Sequence, residues 1–145
     1  MRALGLCSWP LLSLLLAGCA GNSTAHRATP IANQRLAEMG SPYRWRVEDL
    51  PGMGNSRLIK ELIGTPSPTS ADEKLQKDVF ATIQKAESAK GFEAPKVLET
   101  RMISQTSDET LEVWVVSRGQ KRVAYTVSMK PSPTGGTDLR IQGWD

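Results

Sequence analysis

The hydrophobic pattern divides the chain into a leader, a polar stretch and a strongly patterned remainder. From Ala3 to Ala17 the chain is dominated by Leu4, Leu6, Leu11, Leu12 and Leu14-Leu15-Leu16, and no charge follows Arg2 until Arg27. One early cation, a short apolar run and small residues after it describe a secretory signal peptide rather than a membrane span. The run is interrupted by Ser8, Pro10 and Ser13 and is shorter than the roughly 20 apolar residues that a spanning helix needs. Residues 20–42 are rich in small, polar and turn-forming residues and predict a flexible linker. A short helix around Ile31–Met39 lacks a continuous apolar stripe.

Beyond the linker, Tyr43-Arg44-Trp45-Arg46-Val47 alternates and predicts an edge strand or extended arm. Leu58, Ile59, Leu62 and Ile63 after Asn55-Ser56 predict a short helix, ended by Gly64-Thr65-Pro66-Ser67-Pro68. The strongest local signal is Ser70 followed by Glu73, a capping-box spacing. It opens an amphipathic helix over residues 71–89 with Leu75, Val79, Ile83 and Ala86 on one face. Lys74, Gln76, Lys77, Gln84, Lys85 and Glu87 are assigned to the other face, and Gly91 and Pro95 end the helix.

The remainder alternates at the period of a strand. Val97–Ser104 forms a first strand, and Leu111, Val113 and Val115 oppose Trp114 and Val116 on a second. Arg118-Gly119-Gln120 suits a tight hairpin. Val123, Tyr125, Val127 and Met129 then alternate with polar or small neighbours, and Leu139 and Ile141 mark a last strand. The expected fold is α+β: one long amphipathic helix on a three- to four-stranded antiparallel meander, with a short extra helix and a disordered amino-terminal tether. The expected organisation is a signal peptide over 1–18, a flexible tether over 19–42, and a single domain over 43–145 with its core in 70–143.

Composition narrows the chemistry. The 145 residues are 39% hydrophobic and 23% charged, ordinary values for a globular domain. A net charge of +3 is too mild to require nucleic acid as a partner. The only histidine, His26, lies in the expected tether, so imidazole-dependent catalysis is not expected. Two cysteines and one histidine are too few for a Cys/His zinc centre, and no cofactor or metal site is expected. Gly52-Met53-Gly54 lacks the rest of a phosphate loop. The neighbouring acids at Glu48-Asp49, Asp72-Glu73 and Asp108-Glu109 suit turns and helix starts better than a catalytic pair. No catalytic residue is assigned. Trp114, on the face opposite Leu111, Val113 and Val115, is a candidate partner-binding anchor, as are the aromatic residues Tyr43 and Trp45.

Leu16-Ala17-Gly18-Cys19 resembles the lipobox of bacterial lipoproteins. The resemblance implies cleavage before Cys19, diacylglycerol on its thiol and an acylated amine, palmitate being typical. With Cys7 removed and Cys19 consumed, no free thiol would remain. Two or more long acyl chains would make membrane attachment effectively stable. Ala20, rather than aspartate, after the cysteine implies delivery to the outer membrane, with the domain facing the periplasm. Gly52-Met53 and Gly64-Thr65-Pro66 also resemble steps in small lipoproteins of barrel-assembly machinery, over about 15 residues. The expected function is therefore that of a non-enzymatic envelope lipoprotein docking assembly or secretion machinery, or cell wall. A small envelope hydrolase working through carboxylates, or an inhibitor or immunity-type lipoprotein, are the alternatives.

Overall fold

The computed structural model describes residues 22–52 and 54–145. The expected signal peptide and Cys19 lie outside the described residues. Along the chain run α1 (Asn22–Glu38), β1 (Tyr43–Asp49), β2 (Ser56–Leu62), β3 (Thr65–Pro66), α2 (Glu73–Ala89), β4 (Val97–Gln105), β5 (Thr110–Arg118), β6 (Lys121–Pro131) and β7 (Thr137–Trp144). The fold is α+β, with β3 to β7 in a five-stranded antiparallel sheet of sequential order and β1–β2 in a separate two-stranded hairpin. A second long helix, a hairpin and a five-stranded sheet replace the expected tether, short extra helix and three- or four-stranded meander.

The long alternation in β6 organises the sheet. Val123, Tyr125, Val127 and Met129 face α2, where Val79 and Ile83 are wholly buried and Leu75 packs beside them. Each aliphatic side chain taken fully out of water there contributes roughly 1.5–3 kcal/mol. The register of β5 on β6 sets Trp114 opposite Tyr125 and Val116 opposite Val123, so Trp114 belongs to this covered face. Its side chain is 2% exposed. Trp114 is therefore part of the core rather than an anchor on a wet face, because parity along β5 alone does not say which face α2 covers. Val113, Val115 and Ala124 line the opposite face and are also buried, beneath Tyr43, Leu62 and Ile103. A central strand covered on both sides is apolar at consecutive positions, as Val113 to Val116 are.

Three further expectations are corrected. Residues 22–38 are helical, not a flexible tether. Ala25, Ala28, Ala32 and Ala37 with Gln34, Arg35, Leu36 and Glu38 are good helix formers, and the helix survives Pro30 because its partly buried stripe rests on β1. Asn33 fastens it there, donating from Nδ2 to the Trp45 carbonyl at 2.8 Å and accepting the Trp45 N–H at 2.7 Å. Residues 56–62 form β2, not a helix. Leu58 and Ile59 fit either period over so short a run, and pairing with β1 from Tyr43–Leu62 to Asp49–Ser56 decides it. Tyr43–Val47 does form the strand that its alternation predicts. Lastly, α2 is capped by Asp72, whose carboxylate accepts the Leu75 N–H at 2.8 Å; Ser70 makes no capping box.

Both helices end in the same motif. Gly40 (φ 72°) and Gly91 (φ 83°) adopt the left-handed conformation that glycine adopts without steric cost. The N–H groups of Ser41 and Phe92 reach back to the Leu36 and Glu87 carbonyls at 2.8 and 3.0 Å. At the far edge of the sheet, Gly143 allows a close approach of another kind. A Cβ there would lie 2.8 Å from Cε1 of the Tyr125 ring.

α1 and the β1–β2 hairpin form an arm that meets the sheet at its base, through Tyr43 and Leu62. Arg101 secures this junction, donating from Nη1 to the Leu62 carbonyl at 3.0 Å and the Gly64 carbonyl at 3.2 Å. On the arm's outer side Arg44 and Arg46 pair with Glu61, and Arg57 pairs with Glu48. These ion pairs are largely exposed and favour the hairpin's register more than its stability.

Candidate functional site

Where the arm leaves the sheet uncovered, the carboxyl end of α1 and the open face of β5, β6 and β7 enclose a groove of about 420 Å³. The polar half of the β6 alternation produces it, because Thr126, Ser128 and Lys130 point away from α2. Leu111, opposite Ser128, gives it an apolar floor, and Glu38, Met39 and Gly40 form one wall. Arg140 and Asp138 on β7 form the other; register sets Arg140 opposite Ser128 and Asp138 opposite Lys130. Both signs of charge thus line one concavity.

Glu109, at the mouth, is its best-organised ionisable group. Ser128 Oγ donates to Glu109 Oε1 at 2.5 Å, and Lys130 Nζ lies 3.6 Å from Oε2. The Ser128 hydrogen bond above all, aided by Lys130 and Arg140 and opposed by partial desolvation, holds the Glu109 carboxyl below the usual carboxylate range. A group held ionised in this way is a poor general acid, since it carries no proton near neutral pH. Glu38 accepts from Gln34 Nε2 at 3.0 Å. The groove therefore offers charges of both signs, hydroxyls and amide groups around an apolar floor.

The adjoining β7 is an edge strand. Among the described residues its backbone pairs only with β6, and it carries no proline. Thr137, Asp138, Arg140 and Gln142 are exposed along it. Such an edge is a template for one more strand. Groove and edge share Asp138 to Gln142, so a single extended segment could use both.

The residues singled out from sequence do not converge. Trp114 is buried under α2, whereas Tyr43 packs on the opposite face of the sheet. The Tyr43 ring also receives Lys60 Nζ, 4.0 Å from its centroid. Trp45 is half-buried in the arm, its backbone held by Asn33. His26 is not in a tether. Its Nε2 lies 3.0 Å from Asp49 Oδ1, between α1 and the end of β1. Among the described residues no group of three His, Cys, Asp or Glu side chains is placed to hold a metal ion, and no helix is long and apolar enough to cross a membrane.

Two buried carboxylates escaped sequence reasoning. Glu87 is wholly buried, not on the polar face of α2. The signal was present: Leu75, Val79, Ile83 and Glu87 recur every fourth residue on one stripe. Arg118 grips Glu87 with two hydrogen bonds, from Nε at 2.6 Å and Nη2 at 2.7 Å, and the Tyr125 hydroxyl donates to Oε1. Arg118 lowers the Glu87 carboxyl's affinity for protons despite its burial. Burial foremost, and then the Glu87 contact, push the Tyr125 phenol up to about 12. Arg118 also pairs with Asp145 and stacks 5.0 Å over the Phe92 ring. Glu112, 1% exposed, forms no ion pair among the described residues and is met by four donors instead. The Ser70 N–H, Ser70 Oγ, Thr69 Oγ1 and Trp114 Nε1 lie at 2.7, 2.8, 2.7 and 2.9 Å. Both acids fasten elements to the sheet, and neither opens onto the groove.

No known protein family, curated protein or solved structure matches the chain.

Proposed function

We propose that this protein is a lipid-anchored component of the bacterial cell envelope, without enzymatic activity, that binds another envelope component through the groove and the β7 edge. The observation that carries the reading is Leu16-Ala17-Gly18-Cys19 closing a short apolar leader. Acylation at Cys19 attaches the chain to the outer membrane with the sheet on the periplasmic side, and Ala20 supports that address. A bare strand edge beside a groove of mixed charge supports docking of an extended segment from assembly or secretion machinery. The Gly52-Met53 and Gly64-Thr65-Pro66 steps support the same setting.

The test has two arms. Cys19→Ser should move the protein from membrane to soluble fractions while its sheet stays folded, as judged by circular dichroism. A photocrosslinker replacing Arg140 in the anchored protein should capture an envelope component that the same group at Lys74, on the far side of α2, does not. Retention of the serine variant in membranes, or equal capture from both positions, would refute the reading. A second reading, a small hydrolase, has one observation in its favour: Glu38, Glu109 and Asp138 all line the groove. In that case Glu109→Gln would abolish turnover of envelope polysaccharide, whereas a docking groove has no turnover to lose.

A further inference from the structure

The helix that replaces the expected tether dictates how the molecule meets a membrane. Only Ala20 and Gly21 separate Cys19 from Asn22, the first residue of α1. Three Cα steps span at most about 11 Å, whereas a flexible chain of 22 residues would reach roughly 25 Å and leave orientation free.

The amino end of α1 is itself held in place. The helix runs antiparallel to β1, gripped in its middle by Asn33 on both backbone groups of Trp45. His26 pairs with Asp49 at the end of β1. The first turns of α1 therefore lie beside the β1–β2 turn, which the Leu50 N–H closes onto the Asn55 carbonyl at 2.9 Å. The other end of α1 forms the groove wall at Glu38–Gly40. A 17-residue helix is about 25 Å long. The end of α1 that follows Cys19 and the end that walls the groove are thus opposite ends of one helix.

The turn end also has the chemistry of a headgroup layer. His26, Arg27 and Arg57 are exposed beside Glu48 and Asp49, with Arg46 also reaching Glu48, so side chains of both signs are interleaved there. Zwitterionic phospholipid presents the same two charges, and neither side repels the other.

We infer that the turn end of the arm — the first turns of α1 with Asp49–Leu50 and Asn55–Arg57 — is a phospholipid-contacting surface that holds the groove and β7 edge away from the bilayer. The inference rests on acylation of Cys19. It makes α1 a spacer rather than a leash, presenting the binding face toward the aqueous compartment.

The lipidated full chain carries no other thiol once Cys7 is cleaved away and Cys19 is acylated, so one introduced cysteine can be labelled selectively. Bimane is placed at Asn55→Cys, at the turn end, or at Met39→Cys, which is 63% exposed at the groove end. Each protein is reconstituted into phosphatidylethanolamine vesicles with a minority of phosphatidylglycerol and a headgroup-nitroxide lipid. Emission from Asn55 is expected to fall by about half, and that from Met39 by less than about a tenth, given their separation along α1. Equal quenching at both positions, or stronger quenching at Met39, would overturn the orientation while leaving the anchor intact. Failure of the purified protein to float with vesicles would overturn the acylation reading, and the orientation with it.

Discussion

Single side chains decide more of this fold than their polarity suggests. Glu87 and Glu112 sit at positions that a binary reading of hydrophobic and polar residues assigns to solvent, yet both are core residues. Each is accepted there because every lone pair in use meets a donor. The two solutions differ in their consequences. Glu87 is paired with a guanidinium that is only 10% exposed, so removing the acid leaves that cation with only the exposed Asp145 carboxylate as a charged partner. Glu87→Ala should destabilise the protein by about 3–5 kcal/mol, measured as the change in urea midpoint at constant slope. Arg118→Met combined with Glu87→Met should recover much of that loss, since no charge is then left buried. A loss below about 0.5 kcal/mol for Glu87→Ala would show that the pair is not closed in solution.

At the scale of elements, legibility followed pattern length. α2 and β4 to β7 were readable because their periods run for at least eight residues. α1 was obscured by Pro30 and by a contact face built from Ala25, Thr29, Ala32, Asn33 and Leu36, in which Leu36 is the only large apolar side chain. β2 was obscured because Leu58, Ile59, Leu62 and Ile63 satisfy a helix as well as a strand until the pairing with β1 is known. The groove was illegible for a related reason. Glu109 lies in the turn before β5 and Ser128 and Arg140 on two later strands, and only the sheet's register brings them together. The helix with the faint signal is also the least firmly held, since no α1 side chain described is fully buried. Asn33→Ala should therefore release α1 locally. Brief trypsin treatment would cleave after Arg27 and Arg35 at least about tenfold faster than in the parent, a change of about 1.4 kcal/mol in opening free energy. The sheet should remain intact to the protease, and fragmentation of the whole chain at equal rate would contradict this.

For the whole molecule, ionisation bounds the range of stability on both sides. Glu61, Glu87, Glu99, Glu109 and Asp145 all hold their protons less tightly when folded, each because a nearby cation or hydroxyl donor favours the charged carboxylate. Groups shifted down stabilise the fold above their unfolded values, near pH 4, and that contribution disappears as pH falls through the lower folded values. Tyr125 works in the opposite direction. Its phenol, raised from 10.0 to about 12, favours the fold below pH 10 and ceases to do so as pH climbs to about 12. Urea midpoints are thus expected to be flat from about pH 5 to 9, falling on the acid limb first and on the alkaline limb above 10. Tyr125→Phe should weaken the alkaline limb, leaving the share of Tyr43, which burial also raises, and should soften the acid limb slightly because Glu87 loses a donor. An unchanged alkaline limb in that variant would assign it to other groups.

The bare backbone at Gly143 gives this network a longer reach in time. With no side chain there, the aromatic ring from β6 slides across β7 far enough for its hydroxyl to meet the acid at the end of α2. Replacing any one of Glu87, Tyr125 or Gly143 removes the reason for the other two. Descendants of a common ancestor should accordingly keep or lose the three together, and that shared inheritance would identify distant kin after the surface has diverged beyond recognition.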